Sequence, residues 1–275
     1  MRPVPAPGAA FYLPLEPAVD GSERFAATEH TVGPWSLQMQ HMSPPAALLV
    51  RALQRCSPRP GTRLVRVSLD VLGAVPRGEV TVRCVLSRAG RQVELLTAEL
   101  LAGSPDGTER VVVRAQAWRM AAHDTAAVAV VAEPSLPALE TAVTHQPPDV
   151  WLPGYLDAIE WRWVHGFLDE QGPGAVWTRP IVAVVAGEQA TTLQQLFAVV
   201  DSANGVGAPL DVREWTFLNT DLTVHLQREP VGPWTGIAAT TSIGPDGVGT
   251  CAAVLHDRLG PIGRSAQILL VRPRG

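Results

Sequence analysis

The chain lacks lysine altogether: all 22 of its basic residues are arginine. That is a compositional bias and carries no chemistry. It has only three cysteines, Cys56, Cys84 and Cys251, too far apart in sequence for a disulfide framework or a zinc spacing, which points to a reducing compartment. A surplus of positive charge is missing too. The net charge of −4 argues against a nucleic-acid protein, whose footprint would be a basic surface. No apolar run approaches the ~20 residues a spanning helix needs, and Pro3, Pro5, Pro7 and Pro14 interrupt any signal-like N-terminal segment. The histidines show no paired ligand spacing, so no metal site is expected. No Gly-x-Ser-x-Gly elbow is present, so a serine nucleophile has no support. These absences lead to the expectation of a soluble, cytoplasmic, metal-free protein with no nucleic-acid or membrane partner.

What is present is apolar sequence in quantity, 46% of 275 residues with only 17% charged, enough for one large domain or two ordinary ones. Residues 1–30 read as turn-rich, with a short strand over Arg24–Thr31. A helix is predicted from Ser43, a plausible cap, with Pro44 at its first position and Ala46, Leu49, Val50 and Leu53 at helical spacing. Alternating strands follow at Leu64–Leu72, Glu79–Leu86, Gln92–Ala102 and Arg110–Arg119, with a hairpin turn at Ser104–Gly107. Residues 121–150 carry little periodic signal and read as a connector, with one short strand over Ala126–Val131. The order then repeats: a strand at Ala158–Leu168, an extended Ala175–Pro180, and a helix over Thr191–Ala203. Strands close the chain at Trp215–Gln227, Trp234–Ser242, Gly249–His256 and Ser265–Val271. One helix and an antiparallel run of strands, twice over, is an α+β layout with an internal repeat of roughly 120 residues. The predicted units are residues 1–120 and 151–275, joined by 121–150.

Two features of the second unit stand out. Asp201 lies along the apolar stripe of Leu193, Leu196, Phe197 and Val200, near the helix C-terminus, where a negative charge is disfavoured by ~0.3–1 kcal/mol. The same Asp-Ser-Ala-Asn-Gly string is also ordinary helix-ending chemistry. Asn219, Asp221, Thr223 and His225 alternate with apolar residues and read as one polar strand face, either functional or simply solvated.

These strings resemble the acyl-CoA thioesterase II family. The likeness rests on Gln40–Leu53, Val75–Gly78 and Arg88–Arg91 in the first unit. In the second it rests on Trp177–Arg179, Asp201, Asn219–Arg228, and Gln267 followed by Arg272. It spans roughly residues 10–273 and rests on the order of the motifs. The resemblance implies a double hotdog fold, each unit a long helix wrapped by an antiparallel sheet, and an oligomer. It implies acyl-CoA as substrate and partner, with no cofactor beyond the CoA that the substrate carries. It implies a catalytic set of an acid, a Thr and a Gln. Asp201 matches the acid and Gln267 the glutamine. Asn219 stands where the family has its Thr, with Thr220 one residue away and so turned to the other sheet face.

Thioester hydrolysis needs a positioned water, a place for its proton, and stabilisation of the developing oxyanion. Asp201, Gln267 and Asn219 (or Thr220) are the expected water-holding set. His41, Ser43 and Thr192, at the two helix entries, are the expected substrate contacts, with helix-end N–H groups on the carbonyl. A non-catalytic acyl-CoA-binding module is the competing expectation. A hydratase is a weaker one, since no acid followed by Asn-Pro and His is visible.

Overall fold

A computed structural model describes residues 5–103, 108–146, 148, 152–167 and 170–274. The turn expected at Ser104–Gly107 and the end of the Ala158–Leu168 strand lie outside the described residues. The N-terminal half contributes β1 (Ala10–Leu15), β2 (Glu23–Ala27), α1 (Ser43–Arg55), β3 (Thr62–Val71), β4 (Glu79–Arg88), β5 (Val93–Gly103) and β6 (Glu109–Ala121). The C-terminal half contributes β7 (Ile159–His165), β8 (Gly174–Pro180), β9 (Ala183–Val185), α2 (Thr192–Val200) and α3 (Ala203–Val206). It continues with β10 (Trp215–Asn219), β11 (Asp221–Leu226), β12 (Thr235–Ile243), β13 (Val248–Asp257) and β14 (Gly260–Pro273).

The strands form one sheet, in the order β7-β8-β12-β13-β14-β11-β3-β6-β5-β4-β2-β1-β9, with β10 also paired to β14. The order mirrors itself across the β11–β3 seam, where Leu222 faces Leu69 and Val224 faces Val67. Outward from the seam, each half runs through its last three strands in reverse and then its first two. All pairings are antiparallel except β1 with β9, where a C-terminal strand lies parallel to an N-terminal one.

The long strands follow the predicted alternation because one face of each is apolar. β14 shows it plainly: Ser265, Gln267, Leu269 and Val271 are buried while Arg264, Ala266, Ile268 and Leu270 are exposed. α1 differs from its expected single stripe, since every residue from Ser43 to Leu53 is buried. A helix buried all round sits in the centre of the core, and each fully buried leucine there (Leu48, Leu49, Leu53) contributes about 2 kcal/mol. Ser43 is the first helical residue rather than the cap; Met42 holds the cap position, with no side-chain cap bond.

Other expectations need correcting. The turn-rich N-terminus contains β1, whose Phe11 and Tyr12 are fully buried. Ala126–Val128 is a 3-10 turn rather than a strand. The connector is tied to the C-terminal strands: Trp177 Nε1 donates to Pro137 O (2.8 Å), and Arg258 and Arg264 pair with Glu140 and Glu133. Cys56, Cys84 and Cys251 are free cysteines. Among the described residues, no helix is long and apolar enough to cross a membrane.

Candidate active site

The predicted helix Thr191–Ala203 divides in two. α2 stops at Val200, Asp201 caps it with helical dihedrals, and the short α3 follows. Ser202 N–H bonds back to Val199 O, three residues earlier, tightening the last turn. The carbonyl of Asp201 is one of the groups a helix end leaves unpaired. Gln267 answers it, donating from Nε2 to Asp201 O (3.1 Å) and to its Oδ1 (3.2 Å). The glutamine is therefore an inward residue of β14, 2% exposed, and not a solvated one.

Asn219 donates from Nδ2 to the same Asp201 Oδ1 at 2.7 Å. A bulge puts it there. Asn219 faces Leu269 while Thr223 faces Ala266, so β10 and β11 span three residues where β14 spans two. An extra residue reverses which face the following side chains take. Phe217 and Asn219 therefore turn inward on β10, whereas on β11 the buried side chains are Leu222, Val224 and Leu226. The expected single face of Asn219, Asp221, Thr223 and His225 does not exist. Asp221 instead pins the bulge, its Oδ1 accepting from Ile268 N–H at 2.7 Å. Thr220, at the bulge, is exposed and away from Asp201.

Asp201 is 3% exposed, and burial pushes its carboxyl up to about 7 against the opposing pull of the two amide donors. Its Oδ1 holds both amides; Oδ2 faces His41 Nδ1 at 3.6 Å. That ring nitrogen accepts the Ser43 backbone N–H (3.1 Å), which leaves the ring proton on Nε2. Burial holds His41 neutral, its pKa lowered to about 3. Tyr155 stacks on the imidazole at 3.9 Å and 9°. Its phenol oxygen lies 3.0 Å from Ala198 O, 3.0 Å from Ser43 Oγ and 2.9 Å from Ser202 Oγ. The phenol O–H is directed at Ala198 O and Ser43 Oγ, and toward Ser202 Oγ either hydroxyl can be the donor. Ser43 thus supports His41 from behind.

Folding thus gathers Asp201, Asn219, Gln267, His41 and Ser43 in one place. It leaves out Thr192, which lies at the other end of α2, nine residues and about 13 Å along the axis. The helix-end amides do not serve either. In α1, Ser43 N–H is taken by His41, Pro44 and Pro45 have none, and Ala46 N–H bonds Met42 O. α2 closes its own N-terminus with a Thr191–Gln194 capping box. Arg88 and Arg179 are likewise engaged, with Val93 O and Glu160.

Asp201, Asn219 and His41 line a cavity of about 350 Å³. The rest of its wall is mainly apolar, with Trp35, Trp161, Trp163 and Phe217 prominent. Tyr155 and the tryptophans carried no role in the sequence. Trp161 and Trp163 fall within the predicted strand Ala158–Leu168, but Tyr155 follows a connector without periodicity. Among the described residues, no three His, Cys, Asp or Glu side chains cluster as a metal site requires.

Comparison with known proteins gives the fold and the family. A solved protein from Thermobifida fusca, assigned as a thioesterase II, superposes with a TM-score of 0.72 at 15% identity, covering 97% of this chain and 99% of its own. A hotdog-fold protein of unknown function from Alicyclobacillus acidocaldarius gives 0.68 at 14% identity, over 94% and 95%. An acyl-CoA thioesterase II from Mycobacterium marinum gives 0.62 at 14% identity, over 92% and 94%. At such identities the likeness establishes a hotdog-type α+β fold. No curated protein matches significantly by sequence. The family models for the acyl-CoA thioesterase N-terminal and C-terminal domains match residues 31–120 and 133–271, and by that match the chain belongs to the acyl-CoA thioesterase family.

Proposed function

We propose that this protein hydrolyses acyl-CoA thioesters to the free acid and CoA, on a double hotdog framework, with Asp201 activating the water. The observation that carries this reading is the state of the Asp201 carboxylate. It stands at the cavity wall, raised to about 7 by burial, with one oxygen fixed by two amides and, among the described residues, no arginine paired with it. A base poised near neutral pH is what general-base catalysis requires.

Asp201 Oδ2 takes a proton from water as the water oxygen bonds to the thioester carbonyl carbon. His41 Nε2–H, which has no partner among the described residues, donates to the oxyanion. Collapse of the tetrahedral intermediate breaks the C–S bond, and the proton on Asp201 passes to the CoA sulfur. Asn219 fills the place of the expected threonine by donating to the carboxylate, and Gln267 holds it from the second side. No covalent intermediate and no cofactor beyond the CoA of the substrate enters this scheme. The protein is read as cytoplasmic from its few dispersed cysteines and as oligomeric by family analogy.

The test is release of free thiol from a panel of acyl-CoA esters. Asp201→Asn should lower kcat by at least about 100-fold. Because the base must be ionised, kcat/KM should rise with pH to a plateau, with its midpoint near 7. Saturable acyl-CoA binding with no thiol release, or unchanged turnover by Asp201→Asn, would overturn the proposal.

A further inference from the structure

The cavity beside Asp201 is walled by flat rings from three separate elements. Trp161 and Trp163 point to one side of β7, their rings 6.3 Å apart and nearly parallel at 19°. Trp35, from the loop before α1, stands edge-on to Phe217 of β10 at 5.2 Å and 88°. Trp163 is buried, while Trp35 is partly exposed. Asp201, Asn219 and His41 share the cavity lining with these rings, so an acyl group whose carbonyl reaches Asp201 extends among them.

Two properties of that space select an occupant. Its volume, about 350 Å³, is that of roughly a dozen water molecules. A methylene is of similar size, so about ten heavy atoms of acyl group fill the cavity and a palmitoyl chain would extend beyond it. The wall also presents both ring faces and ring edges. Another aromatic ring can pair with these in edge-to-face or offset geometry, gaining beyond the area it buries, which a polymethylene chain cannot.

We infer that the acyl group this protein accepts is compact and aromatic, an arylalkanoyl thioester of about phenylacetyl size. The inference rests on the reading of the chain as an acyl-CoA hydrolase and adds the substrate class. Phenylacetyl-CoA and octanoyl-CoA carry eight acyl carbons each, so comparing them separates ring from chain at constant carbon number.

The experiment measures kcat/KM for phenylacetyl-, octanoyl- and palmitoyl-CoA in the wild type and in Trp35→Leu and Trp163→Leu. Phenylacetyl-CoA should be turned over at least as well as octanoyl-CoA and at least tenfold better than palmitoyl-CoA. Trp35→Leu should lower the phenylacetyl-to-octanoyl ratio about fivefold. Trp163→Leu should do the same if it folds; Trp35, on a loop, provides the variant that does not depend on the core. A preference for octanoyl- or palmitoyl-CoA, or a ratio unmoved by Trp35→Leu, overturns the inference. If no ester is hydrolysed, the hydrolase reading fails instead. Quenching of tryptophan fluorescence by the same three esters then decides the pocket's preference: tighter phenylacetyl-CoA binding supports the inference, and tighter palmitoyl-CoA binding overturns it.

Discussion

α1 and α2 lie antiparallel, and the two ends of the pair have opposite electrostatics. At one end, the start of α1 meets the end of α2: His41, Ser43, Tyr155, Asp201 and Ser202. At the other, Gln54 of α1 meets the start of α2, its Oε1 lying 3.0 Å from Thr191 Oγ1 and 2.8 Å from Gln194 Nε2. Beside that contact Arg51, itself 2% exposed, forks onto Glu23 and Glu188 through four bonds of 2.7–2.9 Å. Both ends hold carboxylates. Arginine holds Glu188 below its ordinary value, and among the described residues no arginine pairs with Asp201. The lesson is that an acid with a cation is structure, and an acid with only amides is a base in waiting.

Breaking the active end should give the largest effect. His41→Ala removes the proposed donor to the oxyanion and should lower kcat per folded molecule by about 100- to 1000-fold in the thiol-release assay. The orphaned Ser43 N–H should cost about 1–3 kcal/mol of stability. Loss of less than fivefold would remove His41 from the chemistry. Breaking the silent end should cost stability alone. Arg51→Met leaves two carboxylates without their fork in a half-buried setting and should cost about 2–3 kcal/mol in denaturant unfolding. Activity per folded molecule should be unchanged.

A third effect concerns pH and sharpens the contrast. The folded pKa of Asp201 is raised, to about 7, from an unfolded value of about 3.9. Its protonated form therefore favours the folded state, fully so below pH 4, and this contribution is lost as pH rises through 7. Asp201→Asn has no such loss. Its stability relative to wild type should increase between about pH 4 and 7, by at most a few kcal/mol. A constant difference across that window would mean that Asp201 is not desolvated as described.

Much of the framework was legible because long antiparallel strands with one wet face alternate visibly, as β5, β6 and β13 do. What failed to show had contact-dependent causes. β1 carries a proline and its Phe11 and Tyr12 are both buried, so no alternation marks it. β9 has three residues, too few for any period. The bulge at Thr220 exists only relative to β14, so the inward turn of Asn219 could not be read from its own strand. Thr192 is expected at the site for its place at a helix entry, although its separation from Asp201, nine residues along one helix, follows from the sequence itself. Asp201 and Gln267 were found through resemblance; their own strings look like an ordinary helix ending and an ordinary strand amide.

The parallel pairing of β9 with β1 also has a kinetic side. Ala10 and Tyr12 of β1 are matched to Ala183 and Val185, more than 170 residues later. During synthesis the N-terminal half emerges with that strand uncovered, an invitation to neighbouring chains. The half that arrives first is finished only by a tripeptide of the half that arrives last. The chain should therefore melt in one step, and a fragment ending before residue 183 should be the aggregation-prone species.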